Sequence, residues 1–138
     1  MKSPTAIELQ NTDFILDMLV NIDGISYTNI QPDIFRIKGP EGVSCILDVE
    51  ETLVCISEEI CDLPLEVSQQ SKLLMCLMGL NHEALHGKFS INGGKVYFKE
   101  NLEIKNLDQN ELEAALGWTL AMVARSVERI SEIITIVA

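Results

Sequence analysis

Ile34-Phe35-Arg36-Ile37-Lys38, Gly39-Pro40-Glu41-Gly42 and Val43-Ser44-Cys45-Ile46-Leu47-Asp48-Val49-Glu50 form the stretch that decides the fold. The first run is rich in β-branched and aromatic residues and reads as a strand. The Gly-Pro-Glu-Gly quartet is turn chemistry. In the third run Val43, Cys45, Leu47 and Val49 recur at every second position, which places them on one face of a second strand. Thr52 to Ile60 reads as a third strand, with Val54 and Ile56 alternating against Cys55 and Ser57. Connections this short make an antiparallel meander. Each face carries some apolar residues. One face is therefore expected to pack on helices and the other partly on a partner, with Val54 and Ile56 as candidate contact positions.

Working outward, Phe14, Ile15, Met18, Leu19 and Ile22 have helical spacing, and a first helix is expected from about Thr5 to Asn21. Asp23-Gly24 ends it. Ile25 to Asp33 is ambiguous, because its β-branched and aromatic residues suggest a strand while Pro32 argues against a central one. After the meander, Asp62-Leu63-Pro64 breaks the sheet. A second helix is expected from about Leu65 to Leu85 or His86, stopped by Gly87. Gly87 to Ile91 and Lys95 to Asn101 then form a hairpin around Asn92-Gly93-Gly94. The last helix starts at Asp108, with Glu111 placed to complete a capping box and Leu107 and Leu112 to form a staple, and continues toward Ile133. The order α-β-β-β-α-β-β-α describes an α+β fold, an antiparallel sheet packed with helices, in one domain spanning residues 1–138.

Composition narrows the function. At 47% hydrophobic and 22% charged residues the chain should fold around a real core. A formal net charge of -11 disfavours nucleic acid and anionic membrane as partners. Between Gly39 and Lys72 there is no Lys or Arg, while Glu41, Asp48, Glu50, Glu51, Glu58, Glu59, Asp62 and Glu66 are all acidic. A solvated sheet face accounts for this run, and a docking surface for a basic partner is the alternative. No apolar run approaches a membrane span. The N-terminus reads as lacking a signal peptide, and Cys45, Cys55, Cys61 and Cys76 have no Cys-x-x-Cys spacing. Reduced structural thiols in a cytoplasmic protein are the expectation.

His82-Glu83-Ala84-Leu85-His86 matches the His-Glu-x-x-His pattern in which two imidazoles one helical turn apart hold zinc and the glutamate activates water. A third ligand is required. These are the only two histidines, and no spacing singles out Glu100, Glu103 or Glu111. Gly87 also follows His86 at once. The helix reads well without metal, since Leu73, Leu74, Leu77, Leu80, Ala84 and Leu85 define an apolar side from which both histidines project away. Helix-end histidines are the preferred reading, with no metal, no catalytic residue and an incidental metal site or a zinc metallopeptidase as lesser alternatives. There is no Gly-rich phosphate loop and no dinucleotide fingerprint, so no cofactor is expected.

Asn81 lies between Leu77 and Ala84 on the apolar side. A buried amide needs partners, so its expected role is to tie the helix to a neighbouring strand or loop, with ligand recognition as the alternative. On the last helix, Leu112, Leu116, Leu120, Val123, Val127, Ile130 and Ile134 share a broad side, while Trp118, Met122, Arg125 and Arg129 fall on an adjacent strip. Trp with Arg is a composition favoured at interfaces. This strip is a candidate dimer or protein-binding surface.

Leu73-Leu74-Met75-Cys76-Leu77-Met78-Gly79-Leu80-Asn81, Gly87-Lys88-Phe89-Ser90-Ile91, Lys95-Val96-Tyr97-Phe98 and Leu107-Asp108-Gln109-Asn110-Glu111-Leu112 together resemble the YbjN family and, more broadly, the class I type III secretion chaperone-like fold. The resemblance covers about the last seventy residues well and the N-terminal half by element order. It implies a small acidic homodimer that binds an unfolded segment of a secreted protein, a structural role for Asn81, Gly87 and Phe89, and no catalytic residue. The function expected is a non-catalytic protein-binding module, a chaperone or adaptor. A regulatory dimer of unknown partner is the alternative.

Overall fold

The computed structural model describes residues 3–134. Helix α1 (Ala6–Leu19) is opened by Thr5, whose Oγ1 accepts from Glu8 N at 3.1 Å while Glu8 Oε1 accepts from Thr5 N at 2.7 Å. This reciprocal pair satisfies two of the free N–H groups at the helix start. Six strands follow in two groups: β1 (Ser26–Gln31), β2 (Ile34–Lys38), β3 (Ser44–Val49) and β4 (Leu53–Asp62), then β5 (Lys88–Asn92) and β6 (Lys95–Glu103). Helix α2 (Val67–Glu83) separates the groups, and α3 (Gln109–Ser131) closes the order. The expected α+β class and element order are present, with β1 as a strand ahead of the meander.

The ambiguous 25–33 segment resolves by position in the sheet. The strands run β1-β2-β3-β4-β6-β5, all antiparallel, so β1 is an edge. Pro32 sits in the turn after β1, where its missing N–H breaks no ladder bond. The β5–β6 hairpin turns through Gly93 and Gly94 at φ 59° and 74°. Two left-handed residues in a two-residue loop match the twist of the flanking strands.

One sheet face carries the core. Phe35, Leu47 and Ile56 are neighbours across β2, β3 and β4 and lie with Ile15, Leu19, Leu112 and Leu116 in one cluster. Phe89, Val96 and Phe98 meet Leu73, Leu77, Leu80, Met122 and Ile130 in a second. Thus α1 covers one end of the sheet, α2 the other, and α3 spans both. The opposite face presents Arg36, Ile46, Ser57 and Lys99 in one row across the strands.

Two expectations fail here. Val54 and Ile56 are fully buried among the core residues, so neither is available to a partner. The alternation of β4 is real, but its apolar face is the one the helices cover. Asp108 caps α3 by accepting from Glu111 N at 2.7 Å, yet the cap runs one way, and the reciprocal box belongs to α1.

Candidate protein-binding surfaces

The three chemical members of the His-Glu-x-x-His motif go three ways. Helix α2 ends at Glu83, and Ala84 leaves it with extended backbone at ψ 125°. His82 is exposed in the last turn, while His86 lies beyond the helix, correcting the expectation that the helix reached Leu85 or His86. The fixed i, i+4 separation of a zinc pair is therefore lost. His86 Nδ1 is 4.0 Å from Glu100 Oε2, and its ring stands edge-on to Trp118 with centroids 6.4 Å apart. Glu83 Oε2 accepts from Arg125 Nη2 at 2.7 Å. Among the described residues no group of three His, Cys, Asp or Glu side chains is arranged to hold a metal ion.

Burial raises the Cys45 thiol to about 12, with Glu58 adding to the shift and Arg36 opposing it. Burial also leads the upward shifts of Cys55 and Cys61. These shifts favour protonated thiols, the weakly nucleophilic form.

The helix stops early because the chain must turn sharply into β5. Gly87 makes that turn at φ 72°, where a side chain would be strained. A Cβ there would also meet Phe98 Cζ at 2.7 Å and Lys99 O at 2.8 Å. Next to this turn, Asn81 Nδ2 donates to Phe89 O at 3.2 Å and Asn81 Oδ1 accepts from Phe89 N at 2.6 Å. Both Phe89 backbone groups point away from β6 and toward α2. The amide takes the place that a neighbouring strand would occupy at the open edge. Phe89 itself packs edge-on against Phe98 with centroids 4.9 Å apart.

The Trp118 strip does not form one surface. Met122 is buried in the second core cluster, which removes it as a contact residue. It lies on the side of α3 that faces the sheet and α2. Trp118 is half-buried, and its indole Nε1 has no hydrogen-bond partner. Arg125 is engaged by Glu83, while Arg129 is exposed.

Two other surfaces emerge. On α2, Leu74, Met75 and Met78 are 41%, 76% and 66% exposed, and Ile91 on the edge strand β5 is 40% exposed. Leu74, Met78 and Ile91 line a shallow depression of about 150 Å³ with Asn81 and Phe89. Leu74 thus leaves the expected buried side, as does Leu85 beyond the helix end. The signal was in the sequence: α2 carries apolar residues at 73, 77 and 80 and again at 74, 75 and 78, more than one stripe needs. The second surface is a cleft of about 440 Å³ between α3 and the Pro40–Gly42 turn. Ile22, Ile25, Val43 and Leu120 supply its apolar lining, with Gly117, Ala121 and Ala124 along the helix. Its sequence trace is the row of small residues at 117, 121 and 124.

The described residues form an antiparallel sheet with its helices on one face and exposed apolar side chains on α2 and the edge strand β5. The CesT_Tir_1 family model matches residues 8–134, and the chain belongs to that family. No curated protein matches the sequence significantly. Among solved structures, an uncharacterized protein from Methanothermobacter thermautotrophicus is similar at TM-score 0.67 and 8% identity, covering 88% of this chain and 97% of that one. YbjN from E. coli is similar at TM-score 0.62 and 12% identity, with coverages of 88% and 91%. A chain of the heterodimeric ExoU–SpcU complex from the type III secretion system of Pseudomonas aeruginosa is similar at TM-score 0.60 and 13% identity, with coverages of 73% and 85%. At 8–13% identity these likenesses show a shared fold. No described helix is long and apolar enough to cross a membrane.

Proposed function

We propose that the chain is a non-catalytic chaperone or adaptor domain that works as a homodimer joined through the α2–β5 edge and holds a segment of another protein. The observation that carries this reading is the patch of Leu74, Met75, Met78 and Ile91, apolar side chains left in water beside an open strand edge. Exposed apolar groups of this kind gain free energy when a partner covers them. Methionines suit such a surface because their side chains adapt to the facing shape. A two-fold pairing would set the patch of one copy against the same patch of the other. Membership in the CesT_Tir_1 family and the likeness to a chain of a secretion-system complex support a client that is itself secreted.

Sedimentation across a range of protein concentrations tests the dimer. The unmodified chain is expected to dimerise, and Met78→Glu to give a folded monomer. A unmodified chain that stays monomeric at high concentration, or a Met78→Glu dimer of unchanged affinity, refutes it. Arg125→Glu is expected to leave the dimer in place, because Arg125 is engaged within its own chain. Co-purification from native lysate tests the client, whose bound segment should be protected from proteolysis.

A further inference from the structure

The cleft between α3 and the Pro40–Gly42 turn has a chemistry of its own. Ile22, Ile25, Val43 and Leu120 make it apolar within, while Asp23, Glu41 and Glu113 stand among its lining residues and no Lys or Arg does. None of these three carboxylates forms an ion pair among the described residues. At about 440 Å³ the cleft is within the size range of ligand pockets. Gly39 lets the chain entering the turn run close to α3, since a Cβ there would meet Leu120 Cδ1 at 2.8 Å.

Gly117 adds an independent observation. It lies inside α3, where glycine costs roughly 1 kcal/mol relative to alanine. A Cβ built there meets nothing within 4 Å. The protein's own packing therefore gives no reason for glycine at this place. Glycine leaves this part of the cleft lining without a side chain.

We propose that this cleft seats an apolar segment of a partner protein flanked by lysine or arginine. The inference rests on the protein-binding reading above and deepens it by naming the chemistry of the bound segment. The apolar lining takes one or two aliphatic side chains, and Asp23, Glu41 and Glu113 pair with the flanking cations. A second copy of this chain is the poorer occupant, because each copy brings a net charge of -11 toward an acidic cleft.

The test is fluorescence anisotropy with a labelled synthetic peptide of alternating leucine and lysine, beside a leucine–glutamate counterpart. The lysine peptide is expected to bind and the glutamate peptide not to. Gly117→Leu, which fills the cleft with a helix-favouring residue, should weaken binding about tenfold or more. Ala121→Leu is a second filling variant should the first fail to fold. The pair Glu41→Gln and Glu113→Gln should weaken binding about fivefold at low salt and less at high salt. The pair Glu51→Gln and Glu128→Gln removes the same charge outside the cleft and should change nothing. Absence of binding, equal binding of both peptides, equal weakening by the two charge pairs, or full binding by a folded cleft-filled variant overturns the proposal. So does dissociation of a dimer by Gly117→Leu, which would make the cleft a self-interface. Cleft-dependent peptide binding by a monomeric unmodified chain would sink the α2–β5 dimer and leave this site standing. An intact, Met78-dependent dimer with no such binding would do the reverse.

Discussion

Replacing Asn81 by leucine tests the join between α2 and the edge strand. The change roughly keeps side-chain volume and removes both hydrogen bonds to Phe89, the 3.2 Å bond to its carbonyl and the 2.6 Å bond from its N–H. Each bond contributes about 1 kcal/mol net, and a buried backbone group left unpaired costs about 1–3 kcal/mol. Phe89 is buried, but its bonds lie at a partly open edge, so water offsets some of that cost. The leucine also adds apolar contact. The balance is a loss of about 2–4 kcal/mol, or roughly 6–15 °C in melting temperature for a chain this size. Urea unfolding should show a lower midpoint with an unchanged slope. Asn81→Asp separates the two bonds: it keeps the acceptor for Phe89 N–H but sets a carboxylate against the Phe89 carbonyl. It should destabilise at neutral pH and recover partly in acid, when the carboxyl can donate. An unfolding free energy for Asn81→Leu within about 0.5 kcal/mol of the unmodified chain would refute the reasoning. If such a variant had also lost its partner, Asn81 would be a recognition residue.

Gly87→Ala should cost about 2–4 kcal/mol by urea unfolding, because the new methyl meets both a left-handed backbone and the Phe98 ring at 2.7 Å. Cys45 makes the alkaline limb of stability steeper. Its thiol is held up to about 12 chiefly by burial, so the unfolded chain releases this proton near the ordinary 9.0 while the folded chain keeps it. The contribution is intact below about pH 9 and is lost from there toward pH 12, at up to ~1.4 kcal/mol per pH unit. Unfolding of Cys45→Ala between those limits should show a shallower fall, and an equally steep one would contradict the assignment. Asp48 is also raised, first by burial and then by Glu50, Asp33 and Glu8. The folded state therefore disfavours its charge above the raised pKa, and acidification through that range relieves the cost. Asp48→Asn should melt higher than the unmodified chain at neutral pH, with the gain shrinking as pH falls toward the usual carboxylate range.

The meander and the hairpin were legible in the sequence because their signals are local. Alternation at 43 to 50, the turn residues at 39 to 42 and the paired glycines at 93 and 94 act through near neighbours in the chain. Asp108 before Leu112 is another such signal, since a cap needs only the first turn of its own helix. The Thr5/Glu8 box is equally local, and its spacing stands in the sequence. The strip of Trp118, Met122, Arg125 and Arg129 rests on helical periodicity and on the interface composition of Trp with Arg. Periodicity places residues on a side of a helix but does not say what faces that side.

By itself the sequence determined the α+β class, the order of the expected elements and the sign of the surface charge. Those depend on backbone preference, on hydrophobic period and on composition, all properties of short stretches or of the whole chain. Only the tertiary structure decided that Val54, Ile56 and Met122 are core, that α2 ends before His86, and that Leu74, Met75 and Met78 face water. It also brought Gly117 opposite Ile25 and Val43 to form a cleft. The reason is that burial belongs to pairs of surfaces. A stripe of apolar side chains is core or interface according to which distant element lies over it, and that contact is made only when the sheet and helices assemble.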